Sequence, residues 1–341
     1  MDTIDDETGN VTQSPPNHDN ATIEKVTSAI NLFVPPLLII TGVVSNMLII
    51  TIMRTRYFRS ISSSVYLTSA AVNDLVGLLV ALLPHWLYVN FPYIYLRTYS
   101  SHGMCKFFNF YGWGNTDFGI LITTAMIVER ATAIVFPLKS ASICTKKRAR
   151  NIVGIIILSV IIKEFHFLFS SDIVQKERIE RLCDVFVLDE AYGVFWIGVW
   201  PWIHLFCVAI CFIIIVASNS VIIHQVRNSL AENTKRVQRL HLLAPMLISE
   251  SVILLLLTFP FTIYLTSIAL RQRYNLDVYN DSTIISYDKI TFSVTFYLLY
   301  SCKCANFFIY CSTGSSFRQG LSHVLSICFS RKTVYTGSIK S

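Results

Sequence analysis

Seven apolar stretches, each long enough to cross the hydrocarbon layer of a bilayer, dominate this chain. They run over residues 31–54, 62–88, 103–136, 149–170, 192–226, 237–270 and 287–311. A transmembrane helix needs about 20 residues. Backbone amides in lipid must be satisfied within the protein, which leaves helices or closed barrels, and these stretches are too long for barrel strands. The chain is therefore expected to be an all-α membrane protein, a seven-helix transmembrane bundle. Spans three, five and six exceed one bilayer thickness and should tilt or project into water. Composition agrees with lipid as the solvent. The chain is 53% hydrophobic and 14% charged, whereas a soluble domain carries about 25% charged residues. No soluble core of this size could absorb the excess apolar surface.

Charge gives the orientation. The net charge of +7 would suggest nucleic acid in a soluble protein, but the basic residues flank apolar spans and read as topology signals instead. Segments 54–61, 139–150, 227–241 and 312–341 hold sixteen Lys and Arg against one acid, Glu232. Residues 1–30 hold six acids and one base, Lys25. The positive-inside rule then puts the N-terminus outside and the C-terminus in the cytosol, as expected of a multi-pass plasma-membrane protein. The predicted organisation is an extracellular tail over 1–30, a membrane domain over 31–311, and a cytoplasmic helix and tail over 312–341. Residues 1–30 contain no apolar signal-peptide core, so export of the N-terminus is expected to rest on the first span.

Asn10-Val-Thr12, Asn20-Ala-Thr22 and Asn280-Asp-Ser282 are glycosylation sequons on the outer side. Cys105 and Cys183 also fall outside, where oxidation is permitted, and are expected to form a disulfide; the other seven cysteines lie in spans or on the cytosolic side. After span seven, Leu321, Val324, Leu325 and Cys328 make one apolar stripe. This predicts a short amphipathic helix in the membrane plane. Cys328 could carry a palmitoyl group or remain a thiol. Metal-hydrolase and serine-hydrolase motifs are absent from the sequence, and the histidines His85, His166 and His204 are scattered. No enzyme, metal or cofactor is expected. Without a detectable inverted repeat, a transporter or channel is disfavoured.

The third span ends Glu129-Arg130-Ala131, followed by Pro137-Leu138-Lys139. This stretch resembles the E/DRY…P signature of rhodopsin-like G-protein-coupled receptors, with Ala131 in place of the aromatic. Other landmarks fall in register: Gly42-Val-Val-Ser-Asn46 in span one, Asn73-Asp74 in span two, Thr258-Phe-Pro260 in span six and Asn306-Phe-Phe-Ile-Tyr310 in span seven. Phe307 stands where the family has proline, Ile157 and Thr258 where it has tryptophan, Cys211 where span five has proline, and Asn219 where it has tyrosine. The resemblance implies that Arg130 pairs with Glu129 at rest and meets a heterotrimeric G protein when active. Asn46, Asp74, Asn306 and Tyr310 would form the switch, with Pro260 as the hinge. The family's buried aspartate helps bind sodium. Lys303 lies three residues before Asn306 and is expected to salt-bridge Asp74 and displace that ion, with Glu250 as an alternative partner and Asn115 facing the same region. Lys163-Glu164 is a further intramembrane pair.

Gly112 occupies the position of the aspartate in amine receptors, so an amine ligand is disfavoured. Lys303 is too close to Asn306 for the retinal lysine. The strings around Glu129–Ala149 and Asn306–Arg318 are similar to invertebrate FMRFamide-type receptors. That likeness implies a short neuropeptide, with a small-molecule chemosensory ligand as the alternative. Gly112, Trp113, Trp196, Trp200 and Trp202 are candidate pocket residues, although aromatic residues at this depth also form interfacial belts.

Overall fold

The computed structural model describes residues 18–56, 58–99, 101–136, 138–176, 179–185, 190–228, 235–273 and 282–337. It is a bundle of seven membrane-length helices: Asn20–Met53, Ser63–Asn90, His102–Val135, Lys146–Ser170, Tyr192–Asn228, Ile248–Arg271 and Thr283–Thr313. These are spans one to seven. The chain is a multi-pass membrane protein.

Span one shows why the bundle needs lipid. Phe33, Leu37, Ile40, Val44 and Met47 follow one another at helical spacing and are all exposed. Ser45 and Asn46 on the opposite side are buried. In water this arrangement would be inside out; in a bilayer it places apolar carbon against acyl chains and polar groups against protein. The helix begins at His18, earlier than the sequence boundary near residue 31. Its first turns are polar in composition but pack on span seven, where Asn20 donates a hydrogen bond from Nδ2 to Thr283 Oγ1 at 3.2 Å.

Close approaches at small residues set the helix spacing. A β-carbon on Gly42 would lie 2.3 Å from Leu78 and 2.9 Å from Cys304, so spans one, two and seven meet at that glycine. One on Gly320 would lie 2.9 Å from Ile52, which lets the terminal helix Ser315–Gly337 dock on the cytosolic end of span one. Phe317 is buried there, with Leu321 and Val324 against the same core. The expected amphipathic helix is thus present. Span two contains a π turn at Leu78–Leu82, just ahead of Pro84. Proline cannot donate to the carbonyl four residues back, and the widened turn absorbs the mismatch.

Span three contacts spans two, four, five and six, which makes it the central column. Its first turn is capped by Ser101, whose Oγ accepts from Met104 N. Thr145 caps span four in the same way through Arg148 N. Pro201 lies in the opening turn of Trp200–Asn228, where its missing N–H costs nothing. The loop between spans four and five adds a feature not expected from the sequence: an antiparallel hairpin of β1 (Ser171–Lys176) and β2 (Ile179–Val185), with an irregularity between Val174 and Lys176. Both strands contact span three.

Candidate functional site

At the C-terminal end of span three, Glu129 is buried and Arg130 half-buried. Glu129 does not pair with Arg130 here. Its carboxylate accepts from Ser62 Oγ at 2.6 Å and from the Tyr66 hydroxyl at 3.1 Å. Among the described residues no carboxylate lies within ion-pair distance of Arg130. Span two takes the acid through Ser62 and Tyr66. Beside them, burial and the neighbouring Glu129 push the Cys144 thiol above its ordinary pKa.

Deeper in the bundle the expected core pair is present. Lys303 Nζ lies 3.5 Å from Asp74 Oδ1, and both side chains are buried. Asn306 donates to Asp74 Oδ2 at 3.4 Å. Asn46 donates to the carbonyls of Gly42 and Lys303, each at 2.9 Å, tying span one to span seven beside the pair. Two expectations change. Glu250 is not an ion-pair partner of Lys303; it interacts with the Tyr310 side chain instead, while lining the same 40 Å³ cavity as Asp74, Lys303 and Asn306. Asn115 faces away from that cavity. It exchanges hydrogen bonds with Asn73 and donates to Tyr111, because its turn of span three faces span two. The Lys303 ammonium supplies a positive charge beside Asp74, and Glu250 is a second carboxylate on the same cavity. Near Pro260, Thr258 bonds back to the Leu254 carbonyl. On the cytosolic side, Asn219 donates to Ser251 at 2.6 Å, joining spans five and six at the position where a tyrosine was expected.

Towards the outer face a cavity of about 350 Å³ opens between the spans. Gly112 and Trp113 line it, together with Tyr88, Phe108, Phe292 and Tyr300. The absence of a side chain at Gly112 leaves open space there. Among the described residues no Asp, Glu, Lys or Arg lines the cavity. The other tryptophan expectations need correction. Trp202 is 40% exposed and faces outward, as an interfacial aromatic does. Trp200 is buried beneath the cavity wall, edge-on to Trp113 and stacked on His204. The side chain of Trp196 lies outside the described residues.

Behind that wall sits a group the sequence-based expectations recognised only in part. Asp117 of span three, Lys163 and Glu164 of span four and His204 of span five converge. Lys163 Nζ is 2.6 Å from Asp117 Oδ2 and also bonds Glu164 Oε1. His204 Nδ1 lies 3.3 Å from Asp117 Oδ1 and 3.3 Å from Lys163 Nζ. The ammonium also sits 5.1 Å from the centre of the Trp200 ring, within cation–π range. Asp117 was not singled out from sequence. The available signal was general: an acid in mid-span demands a partner.

Other expectations have mixed outcomes. Cys105 is disulfide-bonded, and Cys183 stands on β2, its side chain outside the described residues. Glycosylation at Asn20 conflicts with the structure: its side chain is 7% exposed and its Nδ2 is bonded to Thr283, whereas a glycan would replace one of that nitrogen's hydrogens and need open space. Asn10, Asn280 and the Cys328 side chain lie outside the described residues.

Comparison with known proteins agrees with this architecture. The family described as 7 transmembrane receptor (rhodopsin family) matches residues 45–310. The chain is also similar to the thyrotropin-releasing hormone receptor of Gallus gallus, 33% identical over 117 residues. That match covers 33% of this chain and 27% of the relative's length. The family is one of signalling receptors, not enzymes. With a match running from the Asn46 region of span one to Tyr310 at the end of span seven, this chain belongs to the rhodopsin family of seven-transmembrane receptors.

Proposed function

We propose that this receptor sits in the plasma membrane with its N-terminus outside, binds a short peptide from the extracellular side, and activates a heterotrimeric G protein. The observation that carries the reading is the cavity: 350 Å³, aromatic-walled and lying in the outer half of a rhodopsin-family bundle. Likeness over part of the chain to a receptor named for a peptide hormone supports a peptide ligand, as do the strings similar to FMRFamide-type receptors. Among the described residues no acid lines the cavity, which argues against an amine.

In this reading Cys105 and Cys183 bridge span three to the hairpin and limit what reaches the cavity. Ligand binding favours an open bundle, with span six swinging about Pro260 and breaking the Asn219–Ser251 bond. Arg130, already free of Glu129, then meets the G protein, while basic loops around Lys146, Lys147 and Arg148 face its surface and anionic lipid. Palmitate on Cys328 would further hold the terminal helix to the membrane. The test is nucleotide exchange on G protein by receptor reconstituted in vesicles. Arg130→Ala should abolish exchange while peptide binding remains measurable. Unchanged exchange in that variant would overturn the assignment of Arg130.

A further inference from the structure

A second cavity, of about 540 Å³, lies between spans three, four and five and shares Ile120 with the aromatic one. Its size falls in the range of ligand-holding cavities, about 300–1,000 Å³. Ser159 and Ile162 of span four and Ile203, Cys207 and Ile210 of span five line it and are exposed, on helix faces that meet acyl chains in a bilayer. Asp117, 6% exposed, and Lys163 also line it. A cavity reached from lipid thus ends on charged groups. We propose that it is a binding site for a lipid-borne amphiphile, a single alkyl chain with a protonated amine head. The head lies against Asp117 and the chain between spans four and five. This goes beyond the signalling function and requires only that the bundle sits in lipid.

Two counts give the head its chemistry. The first is of charge. Asp117 Oδ2, at 2.6 Å, and Glu164 Oε1 both bond the Lys163 ammonium, so two carboxylates divide one cation. Uncompensated charge at this depth is expensive, and a further cation beside Asp117 completes the balance. The second count is of hydrogen atoms. The ammonium has three protons, and Asp117 Oδ2, Glu164 Oε1 and His204 Nδ1, the last at 3.3 Å, stand in reach of them. When Nδ1 accepts from Lys163 it has no proton left for Asp117 Oδ1, which is also 3.3 Å away. Glu164 Oε2 is buried without a hydrogen bond among the described residues, with Nε2 of His166 standing 4.0 Å off. The cluster is therefore short of donors as well as of positive charge. An ammonium meets both counts, an alcohol meets the second alone, and a carboxylate meets neither. Leu121, Val160 and Val208 supply apolar wall for the chain. A proton taken up by the cluster would supply the same charge without a ligand, and then no head would be preferred.

Dodecylamine, dodecanol and dodecanoate share a chain and differ in head. Each is added at the same mole fraction to the full-length receptor in phosphatidylcholine nanodiscs near neutral pH, and the melting temperature is followed. Dodecylamine should raise it most, dodecanol less and dodecanoate least. Cys207→Trp fills the lipid-facing wall and should erase the shift specific to the amine. Ile162→Trp asks the same question from span four if the first variant fails to fold. Glu164→Gln should bring dodecylamine down to the level of dodecanol, since Lys163 then balances Asp117 alone. Equal stabilisation by dodecanol or dodecanoate, no stabilisation by any probe, a full amine shift in a folded wall variant, or an undiminished amine preference in Glu164→Gln would each overturn the proposal. The comparison among probes needs only the wild-type chain, so a variant that fails to fold does not blunt it. The assay contains neither peptide nor G protein, and its outcome is independent of the signalling reading.

Discussion

Two buried lysines show how differently one bundle can hold charge. Lys303, in span seven, meets Asp74 at 3.5 Å beside a 40 Å³ cavity that Glu250 also lines. Lys163, in the outer half, is gripped by Asp117 at 2.6 Å, by Glu164 and by the Trp200 ring. The first pair is loose, and its surroundings offer a spare carboxylate and room for water. The second is tight and shared among spans three, four and five. A loose pair suits a region that must rearrange, whereas a tight one fixes the wall of a cavity that must keep its shape.

The largest effect should come from breaking the tight group. Asp117→Ala leaves Lys163 and His204 without the carboxylate they share and makes Glu164 the ammonium's one remaining acid; loss of one partner from a buried pair costs about 3–5 kcal/mol. Chemical unfolding in micelles would measure it. Asp117→Leu combined with Lys163→Met should recover part of that loss, the remainder going to Glu164, which loses its ammonium partner. A double variant no more stable than the single would show that the cluster is not a paired unit.

Asp74→Asn should cost less, about 1–3 kcal/mol, because Glu250 stands on the same cavity and water can enter. A loss as large as that of Asp117→Ala in the same unfolding assay would erase the distinction between the two lysines. The smallest effect concerns sodium. Replacing sodium by choline should leave the wild-type melting temperature almost unmoved, since Lys303 already supplies the positive charge. Lys303→Met should make it sodium-dependent. A strong sodium response in the wild type would contradict the assignment of Lys303.

The inner pair was legible in sequence because Asp74, Asn306 and Lys303 sit at or beside motif positions and a buried charge requires a partner. Which partner was not legible. Glu250 and Asp74 are both acids at plausible depth, and only helix rotation turns Glu250 towards Tyr310. The Glu129–Arg130 pairing was misread for a related reason. Adjacency in sequence suggested contact, but Ser62 and Tyr66 of span two claim the acid. The outer cluster left still less trace. Its members are 46 residues apart from Asp117 to Lys163 and 41 from Lys163 to His204, and no motif marks any of them.

Apolar length is a local property, so the chain alone determined that seven helices would span a bilayer. Rotation of each helix about its axis is a collective outcome of packing at contacts such as Gly42 against Leu78. Tertiary structure therefore decided that Trp202 faces outward while Trp200 backs the cavity, that Asn20 is tied to span seven, and that His204 touches both the ligand cavity and the buried charges. In lipid the hydrophobic pattern weakly distinguishes inner from outer faces, because both are apolar, and only the fit between neighbouring helices fixes them.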